Sequence, residues 1–191
     1  MPGDSTPSLG FLAIVQHELH GLFGGYLLLN SVGRPLEFHC TAPVKPNRAQ
    51  QILYGPTLEP YLYGEQIGAT LINASQQLPL AVLVDQHAAL AVRQHIQLPA
   101  AMMAHGPSNT ATSPNGSELL PGDERGFTAQ QEFDELTVGH NHLWVPKRYA
   151  ADRALLLQRL SSGEEWFDFS EPFDRIRAAI DEAQRATGKA A

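Results

Sequence analysis

The chain has 191 residues, of which 43% are hydrophobic and 17% charged, a composition typical of a globular protein with its own core. It carries 20 acidic residues against 13 basic ones, which gives a formal net charge of −7. This balance argues against a protein that grips nucleic-acid phosphates or an anionic membrane through a basic patch.

The cysteine content and the hydropathy of the chain bear on the cellular compartment in which the protein is expected. Cys40 is the only cysteine, so an internal disulfide is excluded. The N-terminus lacks the basic start of a signal peptide, and the longest apolar runs, residues 11–15 and 26–29, are too short to span a bilayer. We therefore expect a cytoplasmic protein with no membrane partner.

The first half of the chain predicts a small sheet. After a flexible tail over residues 1–8, a single α+β domain is expected over residues 9–189. Three apolar segments with short connections predict an antiparallel meander: residues 9–16, 26–30 and 36–41. In the third strand, alternation places Leu36, Phe38 and Cys40 on the buried face, which makes Cys40 an inert small hydrophobe.

Two helical segments and a fourth strand follow. Asn47 is expected to cap a helix that ends at Tyr54, and a second segment runs from about residue 57 to 74. Helical spacing places Glu65 on the apolar stripe of that segment. A buried carboxylate is costly unless it is paired, so Glu65 should have a partner or lie at a pocket. The alternative is a Glu65 side chain that bends back into solvent at the edge of the helix. Residues 80–84 then predict an apolar strand that ends at Asp85.

The remaining elements are predicted with one long insertion. Residues 106–126 are rich in Gly, Pro, Ser, Thr and Asn, which favours a flexible loop inserted in the domain. Helices, one strand and a final amphipathic helix capped by Ser170 account for the rest. The predicted segments are a helix over 88–96, a helix over 127–136, a strand over 142–145 and a helix over 150–160.

The order of these elements resembles the ribonuclease H-like fold, in which a three-stranded meander precedes alternating helices and strands. Three stretches carry the resemblance: Gly24-Gly25-Tyr26 at the second strand, Asn47-Arg48 at the first helix and Leu83-Val84-Asp85-Gln86 at the fourth strand. The resemblance covers roughly residues 9–160. The predicted order contains one parallel crossover, in which the long helix carries the chain from the meander to the fourth strand.

The resemblance also implies a reaction, hydrolysis of nucleic acid with Mg²⁺ or Mn²⁺ held between carboxylates. The positions that correspond to the family's carboxylates on the first strand and first helix are neutral here, near Gln16 and near Gln50 or Gln51. Asp85 matches the carboxylate at the end of the fourth strand, and Asp152 could supply the last one. The implied set is therefore incomplete.

His140 and His142 form an independent candidate for a metal site. Residues i and i+2 of a strand project from the same face and can share a metal ion, provided that a third ligand is near. His39, His87 and Glu18 are the candidates for that ligand.

No complete catalytic or cofactor motif is present, so the sequence favours a non-enzymatic protein-interaction or accessory module without a cofactor. Its expected partner is another protein or a second copy of the chain, and nucleic acid is an unlikely partner. Two alternatives stay open. One is a hydrolase of nucleic acid that uses Mg²⁺ or Mn²⁺ with Asp85, Asp152 and Glu65, and the other is a metal-binding protein that uses His140 and His142.

Overall fold

The computed structural model describes residues 7–104, 132–161 and 166–188, and a mixed sheet runs through these residues. Its seven described strands lie in the order β3-β2-β1-β4-β5-β7-β6. Their bounds are β1 Ser8–His17, β2 Gly21–Asn30, β3 Pro35–Cys40, β4 Val82–Val84, β5 Ala100–Met103, β6 Phe133–Val138 and β7 Asn141–Pro146.

The direction of the strands changes beside β1. β1 pairs antiparallel with β2, and β2 pairs antiparallel with β3. On its other side β1 pairs with β4, and both β4 and β5 run parallel to it. β7 then pairs antiparallel with β5 and with β6. The chain thus leaves β1 toward one edge and returns toward the other, so the order reverses between β1 and β4.

Helices cover both faces of the sheet. α1 is Arg48–Tyr54, and α2 is a continuous helix made of Leu58–Pro60, the π-helix Tyr61–Ala69 and Thr70–Ala74. The 3-10 helix His87–Gln94 follows β4, and α3 (Ala150–Leu160) and α4 (Glu171–Gly188) follow the sheet. The predicted cap of α1 is confirmed, since the Asn47 side chain accepts from the Gln50 amide at 2.9 Å. The protein is therefore an α+β protein.

The core has two apolar layers because β1 and β2 are buried on both faces. Leu9, Phe11 and Ala13 of β1 pack with α3 and α4. Leu12 and Ile14, which point the other way, pack with α2 and the 3-10 helix. A strand that is apolar on both faces can only be central, so the composition of β1 fixes its place in the sheet.

Helix α2 lies so close to the 3-10 helix that glycine is required at its contact. A Cβ atom on Gly64 would lie 2.6 Å from the carbonyl carbon and the Cβ of Ala91 and 2.7 Å from the Val92 amide. Because two of these neighbours are backbone atoms, a side chain there cannot be accommodated by a change of rotamer.

Replacing Gly64 with alanine should therefore lower the free energy of unfolding by about 1–3 kcal/mol, the usual cost of overpacking. Urea unfolding of the purified variant measures this change. Gln66→Ala is the matched control, because Gln66 is exposed on the same helix and should change stability by less than about 0.5 kcal/mol. A Gly64→Ala protein as stable as the wild type would mean that α2 and the 3-10 helix do not pack this closely.

Two parts of the sheet differ from the sequence prediction. The described part of the segment predicted as a helix over residues 127–136 lies mostly in β6, because Gly139, with a φ of 60°, allows a tight turn that pairs β6 with β7. Strand β5 was not predicted, since its Ala and Met residues have little intrinsic strand preference. All four of its residues are buried between β4 and β7, so tertiary packing outweighs local propensity there.

The predicted orientation of β3 is wrong. Leu36 and Phe38 are 37% and 40% exposed, and Cys40 is exposed as well. Glu37 instead faces inward and accepts the backbone amides of Gln76 and Gln77, each at 3.0 Å. The chain after α2 needs an acceptor for these amides, and Glu37 supplies it, so the polar face of this edge strand is the covered one.

Two further predicted segments, over residues 106–126 and 88–96, have different outcomes. The predicted loop over residues 106–126 lies outside the described residues. The segment predicted as a helix over residues 88–96 is a 3-10 helix, His87–Gln94. Within the described residues, no helix combines the length and the apolar character needed to cross a membrane.

Candidate active site

Asp85 lies directly after β4, at the carboxyl end of a central parallel strand. Its neighbour Gln86 donates from Nε2 to the carbonyl of Ile14 at 2.9 Å, which ties this end of β4 to β1. In open sheets of this kind, ligands bind at the carboxyl ends of strands where the strand order reverses. Asp85 therefore occupies the position of the sheet at which a functional side chain is most expected.

The Asp85 carboxylate is buried and only partly satisfied. Its side chain is 2% exposed, and Oδ2 accepts from Nη2 of Arg177. Oδ1 is buried without a hydrogen-bond partner among the described residues. Burial raises the pKa of Asp85 to about 6, although the nearby Arg177 lowers it, and the charge of Asp174 adds to the rise. Most buried polar atoms are satisfied, so this free oxygen is a candidate for ligand binding.

Arg177 links Asp85 to a surface cleft. Its Nη1 donates to Oδ1 of Asp174 at 2.9 Å, and its side chain remains 42% exposed. The cleft has a volume of about 570 Å³ and opens beside Met103 and Ala104 at the carboxyl end of β5. We call it the carboxyl-edge cleft. Its polar lining consists of His140, Asn141, His142, Asp168, Ser170, Asp174 and Arg177.

The two predicted histidines lie in this cleft but not on one strand face. His140 belongs to the turn between β6 and β7, whereas His142 lies within β7. Nδ1 of His142 lies 3.3 Å from Oε1 of Glu135, and both side chains are more than half exposed. The hydrogen bonds from Ser170, and then the charge of His140, lower the pKa of Asp168 on the opposite wall.

Asn141 holds the walls of the cleft together. Its Nδ2 donates to the carbonyl of Phe167 at 3.0 Å, and its Oδ1 accepts from the amide of Phe169 at 2.8 Å. Asn141 is 2% exposed, so both hydrogen bonds are shielded from water. The turn that carries His140 is thereby fixed to the segment that carries Asp168.

Asp152 and Glu65 are not part of this arrangement. Asp152 accepts from Arg93 at 2.6 and 3.0 Å and from the Ala100 amide at 3.3 Å. Ala100 begins β5, so Asp152 lies at the amino end of the parallel strands, opposite to the edge where Asp85 lies. The structure does not bring Asp85 and Asp152 together.

The structure places Glu65 off the apolar stripe that helical spacing assigns to it and at the solvated edge of the helix, because its side chain is 55% exposed and 4.0 Å from Nε2 of His95. The π-helical turns of α2 change the angular spacing of its side chains. An α-helical periodicity therefore assigns Glu65 to the wrong face.

A second cleft lies along the 3-10 helix that follows Asp85. Its volume is about 640 Å³, and Gln86 and His87 line it directly after Asp85. Tyr63 of α2 lies on its wall, where burial, together with the charges of Glu59 and then of Asp85, raises the pKa of Tyr63 to about 12. Lys147 and Arg148 bring positive charge to the same cleft.

Two carboxylates of this site, those of Asp85 and Asp174, could hold a divalent cation. Within the described residues, no group of three or more His, Cys, Asp or Glu side chains is placed to hold a metal ion. A Mg²⁺ ion commonly uses only one or two protein carboxylates, together with waters and substrate phosphates. The unpartnered Oδ1 of Asp85 and the carboxylate of Asp174 match that smaller requirement.

Arg177 and Asp174 were missed by sequence reasoning. Both lie on the charged face of the amphipathic helix α4, which by itself indicates only exposure to solvent. The sequence did indicate that a positively charged partner was needed, since Asp85 follows a strand that is apolar on both faces. A carboxylate in that position requires a counter-charge from another part of the chain.

Comparison with known proteins gives distant structural similarity. No protein-family model matches the sequence, and no curated protein matches it. Among solved structures, human ENDOV has 14% identity and a TM-score of 0.44, and the match covers 97% of this chain and 87% of that one. An Endonuclease V variant from Ciona intestinalis, in complex with a 23mer DNA containing an inosine followed by a ribo-adenosine, has 10% identity and a TM-score of 0.45. That match covers 94% of this chain and 87% of the other.

These similarities contradict two predictions. The chain was predicted to be a non-enzymatic protein-interaction or accessory module, with another protein or a second copy as its partner and nucleic acid as an unlikely one. The structures found to be similar are instead endonuclease V proteins, one of them in complex with DNA.

Proposed function

We propose that this chain acts on nucleic acid as a divalent-metal-dependent hydrolase with a ribonuclease H-like fold, and that Asp85 is its central carboxylate. The observation that carries the proposal is the free, buried Oδ1 of Asp85 at the carboxyl end of β4. A buried carboxylate with an unused oxygen is costly to keep, so its position at the strand reversal argues for a ligand.

The topology supports the proposed fold. The antiparallel run β1–β2–β3 is followed by α1 and α2, which carry the chain to β4, parallel to β1. This is the element order on which the ribonuclease H-like resemblance rests. Asp85 then occupies the position of the one carboxylate of that family which the sequence retains clearly.

The charges of the site explain why a cation is needed. Asp168 and Asp174 line the carboxyl-edge cleft, and Asp85 is buried behind Arg177. Acidic groups repel a phosphodiester unless a cation lies between them. Asp85 and Asp174 would hold Mg²⁺ or Mn²⁺ together with a substrate phosphate. Such an ion lowers the pKa of a bound water and stabilises negative charge on the leaving oxygen. The guanidinium of Arg177 can pair with a phosphate oxygen.

The proposal predicts cleavage of single-stranded or double-stranded DNA or RNA that requires Mg²⁺ or Mn²⁺ and is lost in Asp85→Asn. Labelled oligonucleotides of each type, resolved on denaturing gels with metal and with EDTA, measure this activity. Asp181→Asn is the control, since Asp181 is an exposed carboxylate on α4 outside the lining of the cleft. Absence of cleavage with every substrate and both metals, or equal cleavage by Asp85→Asn, would contradict the proposal.

A further inference from the structure

Arg177 bridges the two carboxylates that a divalent cation would use. Its Nη2 donates to Oδ2 of Asp85, while its Nη1 donates to Oδ1 of Asp174 at 2.9 Å. The two carboxylates that suit a divalent ion are therefore held by a single guanidinium. A cation and Arg177 cannot both neutralise this pair fully, so they compete for it.

The surroundings of Arg177 allow its guanidinium to leave. The side chain is 42% exposed and lines the carboxyl-edge cleft, whereas the Asp85 side chain beneath it is 2% exposed. An arginine has long and flexible side-chain torsions, and its planar fork binds phosphate oxygens in pairs. A phosphodiester group in the cleft carries the same single negative charge as one carboxylate, and its two free oxygens thus offer the guanidinium fork of Arg177 an alternative partner.

We propose that Arg177 is a latch released by the substrate: it closes Asp85 in the free protein, and a phosphate group of the nucleic acid draws it away so that Asp85 binds a divalent cation. This inference rests on the proposed function for its substrate class. Its physical content is a coupling between two ligands, since nucleic acid raises the affinity for the cation and the cation raises the affinity for nucleic acid by the same factor.

The coupling distinguishes a latch from a simple structural ion pair. If Arg177 only stabilised the fold, its removal would lower the melting temperature without changing the affinity for metal. If it is a latch, its removal exposes Asp85, and the metal affinity rises even when no nucleic acid is present. Metal affinity measured without turnover is therefore the informative quantity.

The test is a titration of the full chain with Mn²⁺, followed by the electron paramagnetic resonance signal of free Mn²⁺. It is run with and without a short single-stranded DNA oligonucleotide whose linkages are phosphorothioates that resist cleavage. We expect Arg177→Gln to bind Mn²⁺ on the order of tenfold more tightly than the wild type without the oligonucleotide. The oligonucleotide should tighten Mn²⁺ binding by the wild type and have little effect on Arg177→Gln.

Two variants complete the experiment. Arg175→Gln is the matched control, because Arg175 lies on the same helix with similar exposure but pairs with Glu171 and with the carbonyl of Gly33. It should bind Mn²⁺ as the wild type does. Asp85→Asn/Arg177→Gln should lose the gained affinity, which assigns the ion to Asp85.

The outcomes separate the latch from the function on which it rests. Tight Mn²⁺ binding by the wild type that Arg177→Gln leaves unchanged would overturn the latch and leave the hydrolase standing. No Mn²⁺ binding by the wild type or by Arg177→Gln, with or without the oligonucleotide, would overturn both. Equal gains in Arg175→Gln and Arg177→Gln would also overturn the latch, since a general change of charge would then explain the effect.

Discussion

Replacing Arg93 with alanine should lower the free energy of unfolding by about 3–5 kcal/mol, because it leaves a buried carboxylate without its partner. The side chain of Asp152 is 1% exposed and accepts from Nε and Nη2 of Arg93 at 2.6 and 3.0 Å. The hydrogen bond to Asp152 also raises the pKa of Arg93 above its usual value. Without Arg93, the remaining donor is the Ala100 amide at 3.3 Å. Urea unfolding at neutral pH measures the loss.

The control for Arg93 is an arginine whose ion pair lies in water. Arg185 and Glu182 are 3.8 Å apart with side chains 74% and 77% exposed, so Arg185→Ala should change stability by less than about 1 kcal/mol. A double variant, Arg93→Met/Asp152→Leu, should recover most of the loss, since an apolar pair needs no counter-charge. If Arg93→Ala proved as mild as Arg185→Ala, Asp152 would not need this partner, and a ligand role for it would return to consideration.

The first half of the fold could be predicted from the sequence because the sequence features that determine it are local. β1 is apolar on both faces and therefore central, and the Asn47 cap depends only on a side chain that accepts from a backbone amide three residues later in the chain. β5 and β6 were not legible, because their pairing with β7 determines them. In β6, Phe133, Leu136 and Val138 have a spacing that suits a helix almost as well as a strand.

Only part of the candidate site could be predicted from the sequence, for a related reason. Asp85 stands out as a carboxylate directly after a buried strand, and the sequence placed it correctly at the end of β4. Arg177 is 92 residues away along the chain, and a charged face of an amphipathic helix does not tell which of its side chains meets a buried group. Glu65 was assigned to the wrong face because a π-helix cannot be recognised from apolar periodicity.

Asp85→Asn should make the protein more stable at neutral and alkaline pH while it removes the proposed activity. Burial raises the pKa of Asp85 from 3.8 to about 6, against the attraction of Arg177, which is 42% exposed and therefore screened by water. A carboxyl group with a raised pKa favours the native state in its protonated form. Its contribution is fully present below the unfolded pKa and is lost as the pH rises through about 6.

The size of the effect follows from the shift in pKa. About 1.36 kcal/mol per pKa unit gives a loss of about 3 kcal/mol for the wild type between acid and neutral pH, and asparagine does not titrate. The stability of Asp85→Asn relative to the wild type should thus rise by about 3 kcal/mol from about pH 4 to about pH 8. Urea unfolding of both proteins across this range measures the difference, with Asp181→Asn as a control that should show no such trend. If the stability difference between the two proteins did not change with pH, the native state would not raise the pKa of Asp85. The charged form of Asp85 would then cost no free energy in the native state, and a bound cation would have no such cost to offset.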